Sequence, residues 1–564
     1  MGIIQISCRI IVASGLFLIL LLLGLLYAPF SGNPAVFDDH NIITNLSVFS
    51  FAQEVFSKYP RTFPYFSIGL VHVLSDGGLE WNHHLSVLLH GLNVVALFFF
   101  LSRVTERIGT VEGAQRQGVL CFVCLWIAIN PAAVYGVGYL AQRTILFATL
   151  FGLLSAILYL RAQLQERNSD LFSATLFAGL SVMSKEHAIL LPLAVVVLTP
   201  MVCEWSKAAI GRALGYLLLS LPCAVWVLFH SGKDIVGTSY EIYSGQVVSQ
   251  FQGLGIFDFP GGIWVMSIST QLLLFWKYLF LWLIPNTQWM SVDMRVDFFG
   301  LWSSAWTFAG VMVSLGIIGT AAIVWLRPKS TEKVRQWSAA LLFAAIPFVV
   351  ELSVVKVQEP FVLYRSYLWM PAYALLLCLV LNACDERLSR LMPAFPRRAF
   401  WLVLVLAGAA LFPLSQERLR SFSSEEALWQ DALLKLPHPD VAGADRIYYN
   451  LAGEAFKRKD FPEALRFSDL VVKQNPSAFQ GYLAKGTSLL ALGNLDAAWR
   501  EFDVAEAHAP PPDFLGYIEA KRCNVLEIRG EGVQALACLK RSARMGYGPS
   551  RFRLQMMGVD EKSI

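Results

Sequence analysis

The sequence predicts an all-α protein in two parts: a bundle of about eleven membrane spans with one re-entrant segment, then a soluble helical solenoid. Three observations carry this. Of the 564 residues, 56% are hydrophobic and only 15% charged, where soluble domains carry about 25% charged residues. The apolar residues gather in runs long enough to cross a bilayer, the first lying between Ile10 and Phe30. Beyond Phe412 the hydrophobicity drops and the pattern takes on a helical period. Mean hydropathy is +0.53, and the net charge of +4 is diffuse. No basic block is present, so no nucleic acid is expected as a partner.

The first run follows Arg9, is long for a signal-peptide core and lacks a small-x-small cleavage site, so it reads as an uncleaved anchor. Further apolar segments lie near 82–101, 118–135, 140–160, 171–184, 187–202, 213–231, 262–285, 301–326, 338–355, 363–383 and 399–415. Basic residues mark the connections Ser102–Gly118, Ala162–Asp170, Glu204–Gly211, Arg327–Arg335 and Cys384–Arg398, which the positive-inside rule makes cytoplasmic. With Gly232–Gly261 outside and Arg327–Arg335 inside, an odd number of crossings must join them, yet two apolar segments intervene. The segment 262–285 is expected not to span. It opens on Gly261-Gly262, is rich in tryptophan and carries Lys277, as backbone lining a buried cavity can. The N-terminus then lies inside. The loops 31–81 and 232–300, the turn at Asn130-Pro131, the loop Glu359–Arg365 and the tail share the outer face.

In the tail, expected to span 416–564, two units repeat at a spacing of 34. Ala464 aligns with Ala498 and Pro476 with Pro510. This is the tetratricopeptide period, with small residues where paired helices touch. The repeats are expected at about 445–478 and 479–512. A degenerate third, at 514–547, is displaced by Pro510-Pro511-Pro512. Such an array either steadies the outer loops or docks a protein acceptor. Cys523 and Cys538 fall on paired helices of the third unit. A disulfide is one reading, and two buried free cysteines are the favoured one. Cys121 and Cys124 sit inside an apolar helix and read as packing.

The chemistry is expected at Asp38-Asp39, just past the first run. Adjacent carboxylates also serve as caps or turns. Beside a lipid-borne substrate they could supply a general base and a partner that orients the acceptor or holds a divalent cation. Arg143, Lys185 and Arg365 stand at membrane edges, where ionisable groups are costly, and together suit a phosphate or diphosphate. Taken singly, each could instead snorkel or form an ion pair such as Lys185–Glu186. His40, Arg61, Glu186, His187, Tyr364 and Tyr367 flank these positions as candidate substrate contacts. His83 and His84 read as interfacial anchors, since adjacent helix positions point about 100° apart.

The order of motifs is Asp38-Asp39-His40-x-x-Ile43-x-Asn45, Arg61-Thr62, His84-x-x-x-x-x-His90-x-x-Asn93, Asn130-Pro131, Gln142-Arg143, Ser184-Lys185-Glu186 and Tyr364-Arg365-Ser366-Tyr367. With the closing repeats it resembles the GT-C superfamily of membrane glycosyltransferases. It looks most like the transmembrane-and-tetratricopeptide-repeat O-mannosyltransferases and their bacterial protein (pilin-type) O-glycosylating relatives. The resemblance implies a GT-C catalytic domain over 1–415 and a polyprenyl-phosphate-linked sugar donor. It also implies inverting transfer on the extracytoplasmic face to a Ser/Thr hydroxyl of a protein, for which a pilin fits. Asp39 would be the base with Asp38 beside it, and Arg143, Lys185 and Arg365 would hold the donor phosphate. The expected setting is the bacterial inner membrane, with a cytoplasmic N-terminus and a periplasmic tail. Asn130 stands where His-Pro is common in animal members, and the tail is shorter than theirs. A glycan or lipid acceptor, or a non-catalytic membrane scaffold recruiting partners through the repeats, are the alternatives.

Overall fold

The computed structural model describes residues 2–43, 60–107, 113–235, 257–327, 330–357, 359–391 and 397–559. Asn45 of the acidic motif and the stretch 236–256 of the expected outer loop lie outside the described residues. Among the described residues the chain is helical, and the one β contact is an isolated bridge between Met294 and Phe361. Two compact units emerge. Among the described residues the first comprises 2–235, 257–294 and 299–428, the second 295–298 and 429–559. The main division lies beyond the expected 415, because the helix Arg397–Ser421 runs on through Pro413.

Among the described residues, nine helices of the first unit are long and apolar enough to cross a membrane, ten if the bent pair Gln115–Ala128 and Pro131–Val137 counts as one span. This is fewer than the eleven expected, for two local reasons. The helix Asn168–Ser184 has 17 residues. The segment 187–202 is broken into Glu186–Leu190, Leu191–Val197 and Thr199–Val202, with Pro192 and Pro200 in the first turns of the last two. The expected re-entrant segment forms an unbroken helix, Gly262–Leu283, which meets the length and composition of a span. It runs lengthwise beside residues 356–366. Lys356 N–H donates to Ser267 Oγ at 2.8 Å, Gln271 donates to Pro360 O at 2.6 Å, and Trp282 Nε1 donates to Ser366 Oγ at 2.8 Å.

Small residues let the helices approach. On Asn168–Ser184, Ala174 and Ala178 are fully buried, at the small-xxx-small spacing that brings membrane helices into close contact. Ser181 Oγ donates to Ala148 O across the same interface, at 2.7 Å. A Cβ at Gly152 would strike Leu191.

The second unit holds three consecutive helix pairs, Ala444–Lys457 with Phe461–Gln474, Phe479–Ala491 with Leu495–Ala507, and Pro512–Ile528 with Gly532–Arg544. A last helix, Gly548–Met556, follows. Each pair turns through a left-handed residue: Lys459 (φ 64), Gly493 (φ 80) and Gly530 (φ 78). The first two are 34 residues apart and the third is shifted three further, which matches the proline insert. The aligned Ala464, Ala498 and Ala535 are all buried. Asp460 caps its helix by accepting from Glu463 N–H at 3.1 Å. Gly486 is small because Phe502 lies 2.6 Å from where its Cβ would be. Cys523 and Cys538 correct the favoured reading of two free thiols: they are joined in a disulfide, their Cα atoms 5.4 Å apart across the third pair.

Candidate active site

The site begins where the first long helix ends. The chain turns at Phe37, a non-glycine residue in the left-handed region (φ 53), and enters the short helix Asp39–Ile43. Such a conformation costs about 1–3 kcal/mol and survives only where its surroundings fix it. Here Phe37 N–H donates to Glu425 and its ring lies 6.2 Å from that of Tyr139. The turn separates the two acids. Asp39 is buried, accepting from Ala141 N–H at 2.6 Å and Val36 N–H at 3.4 Å. Burial raises its carboxyl to about 7 against the pull of these N–H groups, and the Asp38 charge adds to the rise. Asp38 is exposed, and its backbone N–H donates to the Tyr139 hydroxyl at 3.2 Å.

The amide that holds Asp39 exists because of a helix break. Asn130 ends one helix and starts the next, accepting from Ala132 N–H at 2.9 Å, with Pro131 in the first-turn position that needs no donor. The pair bends by 47°, and the turn Leu140–Gln142 that follows presents Ala141 N–H.

Lys185 is supplied by another break. The helix Asn168–Ser184 stops at Lys185, whose backbone is extended, before the turn Glu186–Leu190. Arg61, also left-handed (φ 71), docks here by donating its N–H to Met183 O at 2.8 Å. From it runs a chain of alternating charge. Arg61 grips Glu186 with two bonds, and Glu186 meets His187 Nδ1 at 3.1 Å. His187 Nε2 lies 3.4 Å from Glu351, and Glu351 pairs with Arg365 at 3.1 Å and Lys356 at 3.7 Å. Arg365 also reaches Glu359 at 3.5 Å.

Within this chain Lys185 stands apart. It is buried, and among the described residues no carboxylate lies within 4.0 Å of its Nζ, which sits 5.7 Å over the Tyr364 ring. Burial and then the Arg61 charge depress it to about 7, the Arg365 charge adds to this, and the nearby carboxylates of Glu186 and Asp38 oppose it. Asp38 and Lys185 are thus electrostatic neighbours, with Tyr139 and Tyr364 packed edge to face between their elements, 6.1 Å apart.

The structure therefore brings Asp38, Asp39, Arg61, Lys185, Glu186, His187, Tyr364 and Arg365 into one neighbourhood. Three expected residues are bonded elsewhere, although Arg143 still feels the Asp39 charge. Arg143 is fully buried, its guanidinium bound by Asn82 O at 2.6 Å, Asn82 Oδ1 at 2.8 Å and Ser86 Oγ at 3.3 Å. Tyr367 is buried against Gly136, with its hydroxyl on His90 Nδ1. His40 is exposed and lies 3.3 Å from Glu425. Of the histidine pair, His83 is buried, bonding Asn33 O at 3.0 Å, while His84 lies beside Trp81. Glu351, Lys356 and Tyr139 were missed by sequence reasoning. The acid and the lysine close an apolar run at 338–355, the signal that singled out Lys185.

The donor set does not fit a divalent cation. Among the described residues no three His, Cys, Asp or Glu side chains group in a metal-binding arrangement. Asp39 spends its oxygens on backbone amides, and the Asp38 carboxylate accepts from the Tyr139 hydroxyl with Lys185 nearby. No protein-family model matches the sequence, and no curated protein matches it.

Proposed function

We propose that this chain is a membrane glycosyltransferase that moves a sugar from a polyprenyl-phosphate-linked donor to a Ser/Thr hydroxyl of an extracytoplasmic protein. The observation that carries the reading is the nearness of an exposed carboxylate, Asp38, to Lys185, a buried cation with no carboxylate of the described residues within ion-pair distance. The arginines nearby are engaged by glutamates or backbone oxygens. An anionic ligand completes such a site, and a phosphate beside a carboxylate is what single-displacement glycosyl transfer needs.

In this mechanism the acceptor oxygen attacks the anomeric carbon while Asp38 takes its proton. The bond from that carbon to the phosphate oxygen breaks, and the leaving polyprenyl phosphate is met by Lys185, with Arg365 behind it. Configuration inverts. Asp39 acts as a positioning residue: held by Ala141 and Val36, it fixes the turn that presents Asp38. This exchanges the expected roles of the two acids, because a carboxylate that is buried and doubly capped is poorly placed to meet an acceptor. Arg143 leaves the phosphate-binding set for the same reason.

The basic connections support an inside N-terminus and, with Gly262–Leu283 lining the site and not crossing, an outer-facing site with the tail on the same side; the Cys523–Cys538 bridge favours an oxidising compartment such as a periplasm. The lengthwise contact of Gly262–Leu283 with residues 356–366 supports its reading as a segment that lines the site. The test is transfer by the full-length protein in proteoliposomes, supplied with polyprenyl-phosphate sugar and a Ser/Thr-containing acceptor. Removing a general base costs roughly 10²- to 10⁴-fold, so Asp38→Asn is expected to lose that much while still binding donor. Transfer at the wild-type rate overturns the assignment. Transfer to glycans or lipids but never to protein favours the alternative acceptor.

A further inference from the structure

The last two helices of the second unit carry a charge and exposure pattern that the transfer reaction does not use. From Gly532 to Val559 there is no acidic residue, and five cations, Lys540, Arg541, Arg544, Arg551 and Arg553, interrupt an otherwise neutral stretch that ends before Asp560. In the final helix, Gly548–Met556, Ser550 and Leu554 face the unit's core. The opposite side presents Phe552 and Met556, 63% and 75% exposed, one turn apart. At 100° per residue, Arg551 and Arg553 flank this stripe on either side, Arg553 also pairing with Glu527 of the helix Pro512–Ile528 at 2.7 Å. Arg551 is exposed and makes no side-chain hydrogen bond or ion pair with a described residue. Met557, 59% exposed, and Met545, 44% exposed, extend the apolar surface.

Large apolar side chains framed by arginines form the pattern of a helix lying in a bilayer interface, its apolar residues among acyl chains and its cations at headgroup phosphates. The unit is tied to the membrane by the apolar helix Phe400–Ser421, a few residues before it. We infer that the C-terminal helix is a lipid-docking surface for anionic headgroups, a second point of membrane attachment. On these two helices cations stand without acids; Glu519 and Glu527 of the preceding helix hold Arg541 and Arg553, while Arg551 stays exposed. That surplus of positive charge makes the partner an anionic surface, and the paired exposed apolar residues make it one with an apolar layer beneath.

The experiment places a photoreactive phenylalanine analogue at Phe552 of the full-length protein, reconstituted in nanodiscs of phosphatidylcholine with or without phosphatidylglycerol. Adducts are identified by mass spectrometry. Lipid adducts are expected in the phosphatidylglycerol discs, falling about tenfold or more with Arg551→Glu plus Arg553→Glu, and absent when the analogue replaces the exposed Tyr449. Adducts to protein alone, no adduct in either disc, or lipid adducts indifferent to both headgroup charge and arginine reversal each overturn the proposal. Transfer activity of the charge-reversed variant on a short peptide is expected to be unchanged, which separates failure here from failure of the enzymatic reading.

Discussion

Lys185 sets the pH behaviour of the candidate site. Its free amine titrates near 7, depressed by burial and by the Arg61 charge. A bound phosphate favours the charged form, so donor binding takes up a proton whenever the free amine is neutral. Affinity for a polyprenyl phosphate is therefore expected to be level below about pH 7 and to fall by up to about tenfold per pH unit above it. Lys185→Arg, charged throughout, should flatten that slope. A fluorescent polyprenyl phosphate titrated across pH 6 to 9 measures it, and an equal slope in both proteins would remove Lys185 from the phosphate site. Asp39 has the opposite sort of linkage. Its folded pKa, about 7, is raised above the unfolded value of 3.8, so the fold retains a proton that the unfolded chain has already lost. Its contribution is most favourable below pH 4 and declines as pH rises to about 7. Thermal unfolding of Asp39→Asn against wild type should show a difference that moves in the variant's favour across that window; a constant difference would mean that Asp39 stays ionised in the fold.

Helix breaks do more for the site than helices do. Asn130-Pro131 bends one pair and yields the turn that holds Asp39, and the stop at Ser184 leaves Lys185 extended beside Asp38. The sequence made these elements visible because ionisable and helix-breaking residues stand out in apolar surroundings. It hid how the side chains turn. Asp38 and Asp39 are indistinguishable as neighbours in a chain, and only the left-handed backbone at Phe37 sends one outward and one inward. In sequence Arg143 resembles Lys185 as an edge cation, but Asn82 and Ser86 claim its guanidinium. The shortness of Asn168–Ser184 and the broken stretch after Lys185 were equally illegible, since hydropathy counts residues and does not register where a helix stops. The tail was the most readable element, because a period of 34 is a property of the sequence itself. The Cys523–Cys538 bridge needed the pairing of two helices to bring the sulfurs within reach. Closing a loop of 15 residues is worth about 3 kcal/mol. Replacing both cysteines by serine should accordingly lower the unfolding temperature of the second unit by several degrees, and reductant should do the same to wild type. Insensitivity to reductant would show that the bridge is absent in the folded protein.

At the scale of the whole molecule, the proposed reading assigns chemistry and acceptor choice to different units. The residues proposed for proton transfer and phosphate binding all lie within the first unit, and the paired helices of the second contribute none of them. If the second unit serves to bring a protein acceptor to the bilayer, it acts on the encounter and leaves the barrier to sugar transfer untouched. A chain ending after Leu428 should then bind polyprenyl phosphate with wild-type affinity, which also reports that the first unit has folded. It should modify a short Ser/Thr peptide with an unchanged kcat. A folded protein acceptor should lose about tenfold or more in kcat/KM, because the docking free energy is made equally in the ground and transition states and is expressed in KM. Equal loss on peptide and protein would make the second unit a structural support for the site. Equal retention on both would leave acceptor recognition wholly to the outer loops of the first unit, and the second unit would then have to serve some other partner.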